Sequence, residues 1–392
     1  MAGRIVKYNR YGNTLKKFLL FAGLWPVANA SLFYRVIPFL HLSAEIWTLC
    51  AILNFCWQHG TNFRLLVKGL GLALSFLTTL QKMFCLLLYR DRLIELHTNL
   101  EASFSQDLED SELRPILLSP LPMYYRASLV LSVGAISLLI MYWVAPILLI
   151  IIQVAHGASV TKYILPFTTI YPGSIGPTNA WLYSGLYIFE IYAGTFVGCI
   201  AASVDSLFAY YIFQISGQLR TLSHRLNQLK ANENDEQVIR QCVSRHRVLT
   251  RCQAHLERIY GPVVLWLSVT NAMIMCAMIW QAAHINPKKA MIVGIFIVMK
   301  AIQTLFYGWL GTSLTVENDK FRDAIYATDW PGSGKKSLMT SILTMMIYNR
   351  PFVLKACSVA TISVDMFLAV CNTAVSYYFM LRTLEERKGL II

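Results

Sequence analysis

A chain of 392 residues that is 56% hydrophobic and 14% charged is poorly suited to a soluble fold, which ordinarily holds about 25% charged residues. Its mean hydropathy of +0.50, concentrated in long apolar runs, points instead to a membrane protein. The net charge of +13 then reads as Lys and Arg gathered in loops on the inner side of a bilayer; membrane lipids are expected partners and nucleic acid is not.

The leader, residues 1–36, carries Arg4, Lys7, Arg10, Lys16, Lys17 and Arg35, with no acidic residue before Glu45. It lacks an apolar stretch followed by a small-residue cleavage site, so no signal peptide is expected. Seven apolar runs then reach the roughly 20 residues that a bilayer requires. They fall at about 37–57, 65–89, 127–155, from 181 past Asp205, 262–283, 290–314 and 352–384. The segments alternate in basic content. The leader, the segment after span four (Arg220, Arg225, Lys230, Arg240, Arg245, Arg247, Arg251, Arg258) and the one after span six (Lys320, Arg322, Lys335, Lys336, Arg350) are rich. The segments after spans one, three and five are poor, and the one after span two, residues 90–126, holds more acids than bases and counts for less; this puts the N-terminus in the cytoplasm and, after an odd number of crossings, the C-terminus outside. That orientation is the reverse of a G-protein-coupled receptor.

The expected organisation is an all-α membrane protein. A cytoplasmic segment 1–36 leads into spans one to four over 37–217, with an outer lid loop at 156–180. Residues 218–260 form cytoplasmic helical extensions, because Leu219, Leu222, Leu226 and Leu229 recur at helical spacing and Val238, Val248, Leu249, Leu256 and Ile259 follow a short break. These extensions are expected to pack into an anchor bundle rather than lie on the membrane surface. Spans five and six occupy 261–316, a cytoplasmic segment with a short helix 317–351, span seven 352–385, and an outer tail 386–392. The nine cysteines have no metal-ligand spacing, no disulfide is expected outside, and no cofactor is implied.

Polar groups inside the spans are the candidate functional residues. His41 and Glu45, one turn apart in span one, read as a hydrogen-bonded pair facing the bundle, with a proton site as the alternative. Lys82 and Asp205 lie far along inward-running helices and are expected to reach the inner interface. Glu190 and Lys300 lie at similar depth near the outer side, so they either pair or meet a ligand. Ser75, Thr78, Thr79 and Gln303, with the aromatic Tyr142, Trp143, Phe189, Tyr192, Phe196 and Phe306, are the candidate lining of an apolar pocket with few polar groups. Asp329–Leu338 superficially resembles a phosphate loop, but Asp329 stands where the first glycine belongs and Lys336 where Ser or Thr belongs. Nothing in the chain resembles a catalytic constellation, and an enzyme is not expected.

The last third carries a more specific signal: AIYATDW at 324–330, KKSLM at 335–339, Arg350-Pro351, and ISVDMFLAVCNTAVSYYFMLRTL at 362–384. In these motifs the chain resembles the insect odorant receptor family, and the layout of the remainder agrees. The resemblance implies a subunit of a tetrameric, odorant-gated, nonselective cation channel in the plasma membrane of olfactory sensory neurons. Its partners would be a volatile small molecule and a common co-receptor subunit in a heterotetramer. The short LKANENDEQ break, where the co-receptor has a long insertion, implies a tuned subunit. The resemblance further implies a pore lined by the last helix, an anchor built from the cytoplasmic helices, and a ligand pocket between spans two, three, four and six. A gustatory-type channel of the same superfamily is the alternative, and SYYFML argues against it.

Span seven also has its own pattern. At 100° per residue, Asp365, Ala369, Asn372, Thr373, Ser376, Met380, Thr383 and Leu384 share one face, while Phe367, Cys371, Ala374, Val375, Tyr378 and Leu381 oppose it. A polar stripe on a spanning helix requires water or a partner. It narrows to Met380 and Leu384, one turn apart, where an apolar constriction in a wet path can gate by dewetting. The family's gate positions fall on the same two residues, with Thr383 as the polar neighbour. Ser376, Met380, Thr383 and Leu384 are therefore the expected pore and gate.

Overall fold

In a computed structural model of the chain, residues 2–156, 163–171, 180–229, 235–328, 336–348 and 351–389 are described. Among them, seven helices are long and apolar enough to cross a membrane: Leu32–Gln58, Leu65–Leu88, Leu113–Ala155, Ala180–Asn227, Glu236–Ala283, Ala290–Tyr326 and Val364–Thr383. The expected all-α architecture of seven spanning helices is what the chain adopts.

In chain order the helices are α1 (Ala2–Phe21), α2 (Leu32–Gln58), α3 (Phe63–Leu88), α4 (Arg90–Glu109), the one-turn α5 (Leu113–Leu117), α6 (Leu121–Ala155), α7 (Ala180–Asn227), α8 (Asp235–Ala283), α9 (Pro287–Tyr326), α10 (Lys336–Tyr348) and α11 (Val364–Gly389). α7 is the axis of the fold. Of its most apolar window 83% is buried, against 6% for that of α6, so α6 keeps its apolar surface for lipid while α7 packs on α1, α6, α8 and α9. α7 and α8 hold 48 and 49 residues, or roughly 70 Å at 1.5 Å per residue. A bilayer core of about 30 Å cannot contain them, and their surplus turns build a helical bundle beyond the spanning region.

That bundle has a continuous core. Leu219, Leu222 and Leu226 of α7 are buried with Leu249, Leu256 and Ile259 of α8, as their periodicity predicts; Ile239 is buried in place of Val238, which with Leu229 and Val248 packs partly buried against this core. α1 and α4 join them, and this was not anticipated. Tyr8, Tyr11, Leu15 and Leu19 form one buried stripe, and Leu93, Leu96, Leu100 and Phe104 form another. Both follow the three-and-four spacing of an amphipathic helix. Tyr8 stacks on Phe104 at 4.9 Å between centroids, and the Tyr11 hydroxyl donates to the Ser206 carbonyl at 2.9 Å. The bundle is clamped by Asp107 of α4, which is fully buried and accepts from Arg245 of α8, from Arg225 of α7 at 3.3 Å and from Thr221 at 2.9 Å. Arg220 of α7 and Glu317 of α9 add a two-pronged pair at 2.5 and 2.8 Å.

The expected start of span seven at 352 is corrected. Residues 355–361 fold into a short antiparallel hairpin, β1 (Lys355–Ala356) with β2 (Ala360–Thr361), turned at Cys357 and Ser358 with φ of 52° and 60°. The spanning helix begins only at Val364, whose N–H donates to the Thr312 hydroxyl of α9 at 3.1 Å. A short apolar run has no period that separates strand from helix; here the close backbone approach of α9 decides. A methyl group on Gly311 would overlap the Ile362 carbonyl oxygen. The segment at 329–335, most of the lid loop, the break at 230–234 and the tail from 390 lie outside the described residues.

Candidate functional site

Two features of the spanning bundle have the chemistry expected of function: a partly open cavity and an exposed polar face. The cavity, about 430 Å³, lies between α3, α6, α7, α8 and α9, within the size range of small-molecule sites. Its aromatic wall is built from Phe76, Tyr142, Phe167 and Phe296. Phe167 meets Phe76 edge-on at 5.3 Å and Tyr142 at 5.9 Å, and Tyr142 meets Phe296 at 6.0 Å. Gly198 and Ala201 of α7 leave room on one side, and Met273, Ile274 and Ala277 of α8 close another.

Phe167 comes from the loop between α6 and α7, and a buried carboxylate holds it there. Glu190 of α7 accepts from the Phe167 N–H at 2.8 Å, the Thr169 hydroxyl at 2.6 Å and the Tyr171 hydroxyl at 3.0 Å. The Ile170 N–H donates to the Ala51 carbonyl at 3.0 Å and Asn54 donates back to the Ile170 carbonyl at 2.9 Å. Glu190 therefore neither pairs with Lys300 nor lines the cavity. It fastens the loop over it, because three donors on one short segment satisfy a buried carboxylate as well as a cation would.

Of the ten residues expected to line a pocket, Ser75 and Tyr142 do so. Thr78 and Thr79 sit deeper on α3; Thr78 accepts from the Trp266 indole at 3.2 Å, and Thr79 donates to the Ser75 carbonyl at 3.2 Å. The carbonyl of Trp143 accepts from the Tyr187 hydroxyl. Phe189 lies edge-on to Tyr171 at 6.4 Å. Tyr192 and Phe196 form a separate group with His41: the Tyr192 hydroxyl bonds Nδ1 at 2.7 Å and Phe196 stacks on the ring at 3.4 Å. His41 thus partners Tyr192 rather than Glu45, whose carboxylate has no hydrogen-bond partner among the described residues. Gln303 donates to Asp205 at 2.8 Å, and Phe306 is buried against Trp309. The sequence places all of these at the right depth, but helix rotation sets which point inward. Phe76, Phe167 and the α8 wall were missed; only the small residues Gly198 and Ala201 signalled space.

Lys82 and Asp205 also depart from expectation. Each is 2% exposed and they pair directly across α3 and α7, with Tyr307 donating to the same carboxylate at 2.6 Å. Neither reaches an interface, because opposite charges on neighbouring helices neutralise each other and remove the need for water. Deleting one partner of such a pair costs about 3–5 kcal/mol.

The polar face belongs to α11. Ala374 is fully buried, and Cys371, Tyr378 and Leu381 pack with it against Met275 and Cys276 of α8. Asp365, Ala369, Asn372, Thr373, Ser376, Met380 and Thr383 are exposed on the other side. The Thr373 and Thr383 hydroxyls donate to their own helix at 2.7 and 2.9 Å, and Met380 borders a shallow groove with Thr373 and Trp280. The side chains of Leu384 and Arg387 lie outside the described residues.

A membrane bundle of seven spanning helices with a small apolar cavity and one exposed polar face defines a class, and comparison with known proteins gives the family. Residues 62–375 match the family model described as 7tm Odorant receptor, and the chain belongs to that family. It is 24% identical over 279 residues to odorant receptor 13a of Drosophila melanogaster, covering 64% of this chain and 65% of that one. It is 21% identical over 230 residues to odorant receptor Or2 of Anopheles gambiae, covering 56% and 61%. The matched segments thus span less than two thirds of these relatives' own length. The fold is that of the insect olfactory receptor OR5 from Machilis hrabei, solved in complex with eugenol, with a TM-score of 0.74 at 13% identity over 96% of this chain and 99% of that chain.

Proposed function

We propose that this chain is an odorant-tuned subunit of a nonselective cation channel that assembles with the family's common co-receptor as a heterotetramer in the plasma membrane of olfactory sensory neurons. The observation that carries the reading is α11: its apolar side is seated on α8 while seven residues of its small and polar side are exposed. A polar face in a bilayer is stable only against water or other subunits, and a central pore shared among subunits supplies both. The odorant would occupy the cavity under Phe167, with the N-terminus cytoplasmic, the bundle of α1, α4 and the far ends of α7 and α8 as the inner anchor, and Met380, Thr383 and Leu384 at the outer mouth.

The test is electrical. Cells expressing this chain with the co-receptor should carry odorant-evoked cation current that neither chain gives alone with the same odorants. Met380→Ser should lower the cost of wetting the closed path and raise basal current or shift ion preference, whereas Tyr378→Phe, on the packed side, should not. Met380 variants that match wild type in leak and selectivity at equal surface expression would remove α11 from the pore.

A further inference from the structure

The cavity is polar in one sign only. Five polar side chains line it, Lys68, Ser75, Tyr142, Gln281 and Lys300, and no carboxylate does among the described residues. The Ser75 hydroxyl is spent on the Gly71 carbonyl at 3.0 Å. Lys68 is exposed and Gln281 stands near the end of α8, so both belong to the rim. Lys300 is different. It lies thirteen residues into α9 (300 − 287), about 20 Å along the helix, where the cavity reaches Ala201 of α7.

The groups around Lys300 explain why its ammonium is uncommitted. Lys82 and Asp205 are the charges that act on it. The Asp205 carboxylate already receives Lys82, Gln303 at 2.8 Å and Tyr307 at 2.6 Å. Two ammonium groups therefore share one saturated carboxylate, and no hydrogen bond or ion pair holds the Lys300 Nζ among the described residues. A cation beside an apolar cavity without a partner is costly, and a ligand oxygen can relieve that cost.

We propose that Lys300 sets the ligand class of this cavity: molecules with a hydrogen-bond-acceptor head, a carbonyl or carboxylate, on a hydrocarbon or aryl body that packs on Phe76, Tyr142, Phe167 and Phe296. Primary amines of the same shape are rejected, because their ammonium would meet that of Lys300 where no carboxylate lines the cavity among the described residues and Asp205 is already taken. This rests on the reading of the cavity as the odorant site.

The experiment uses two matched series, octanal, octanoate and octylamine, and phenylacetaldehyde, phenylacetate and phenethylamine. Each is applied to the purified complex with the co-receptor, read as thermal stabilisation, and to cells, read as current. At least one acceptor-headed compound should stabilise and activate wild type at concentrations at least tenfold below its amine. Lys300→Met should abolish that preference, while Lys300→Gln, which keeps a donor without charge, should retain the aldehydes and lose the acids. Amines as potent as their partners in wild type, or no stabilisation by any of the six, would overturn the proposal even if the variants fail to fold. Stabilisation without current would instead count against the channel reading and leave Lys300 in place. Current with equal potency across head groups would do the reverse.

Discussion

Buried polar side chains in this molecule behave according to what meets them, and chain position alone does not reveal it. Glu190 has three donors and acts as a fastener; Asp205 has three and joins α3, α7 and α9. His97 of α4 has none for Nδ1 and lies edge-on to Trp25 at 4.8 Å. Burial lowers its pKa, assisted by Lys16 and opposed by Glu101. The folded chain therefore binds this proton less readily than the unfolded chain does. The stability contributed by the neutral ring is complete above the unfolded value of about 6.5 and is lost as pH falls below it. Thermal unfolding of the solubilised protein should move to lower temperature as pH falls below about 6.5, and less so in His97→Phe. Equal slopes in both proteins would show that His97 contributes nothing to acid sensitivity.

Between elements, the tightest constraint is the seating on α9 of residues 362–363, which join the hairpin to α11. Gly308 and Gly311 let the backbone at 362–363 approach within van der Waals distance, and the Thr315 hydroxyl donates to the Phe352 carbonyl at 2.9 Å. That contact fixes where α11 starts and hence how its polar face is rotated. Gly311→Ala places a methyl against a carbonyl oxygen, and overpacking of this kind costs about 1–3 kcal/mol. Gly294→Ala, on the same helix with nothing within 4 Å of the added carbon, gains helix propensity of up to about 1 kcal/mol. We expect reduced surface yield and a lower unfolding temperature for the first and no loss for the second. A Gly311→Ala protein as stable as wild type would show that the backbone at 362–363 yields on α9 without cost.

For the whole molecule the open quantity is orientation. The basic residues before α2, in the long extensions of α7 and α8, and after α9 all fall on one side of the bundle if seven helices cross. A tag placed before Met1 should require permeabilised cells for staining, and one after Ile392 should stain intact cells. Surface staining of the N-terminal tag alone would invert the arrangement and place Met380 at the cytoplasmic end. The same bundle that carries these charges is tied together by Asp107 with Arg225 and Arg245.

The amino-acid sequence by itself determined the class, the number of spanning helices and the polar face of the last one, because hydropathy over 20 residues and a 100° repeat are local properties. Ser75 and Tyr142, named for the polar and aromatic character of their spans, line the cavity. Sequence spacing also contains the stripes of α1 and α4, which match the period of α7's extension but are hard to tell from solvated helices because their surroundings are polar. Only the tertiary structure decided that Lys82 pairs with Asp205, that Glu190 fastens a loop, that Tyr192 and Phe196 serve His41, and that 355–361 is a hairpin. Each depends on the rotation of one helix against another or on a backbone approach between segments far apart in the chain. Lys300 became the distinctive residue of the cavity for that reason: its missing counter-charge is a fact about Asp205, almost a hundred residues away, whose carboxylate is already taken.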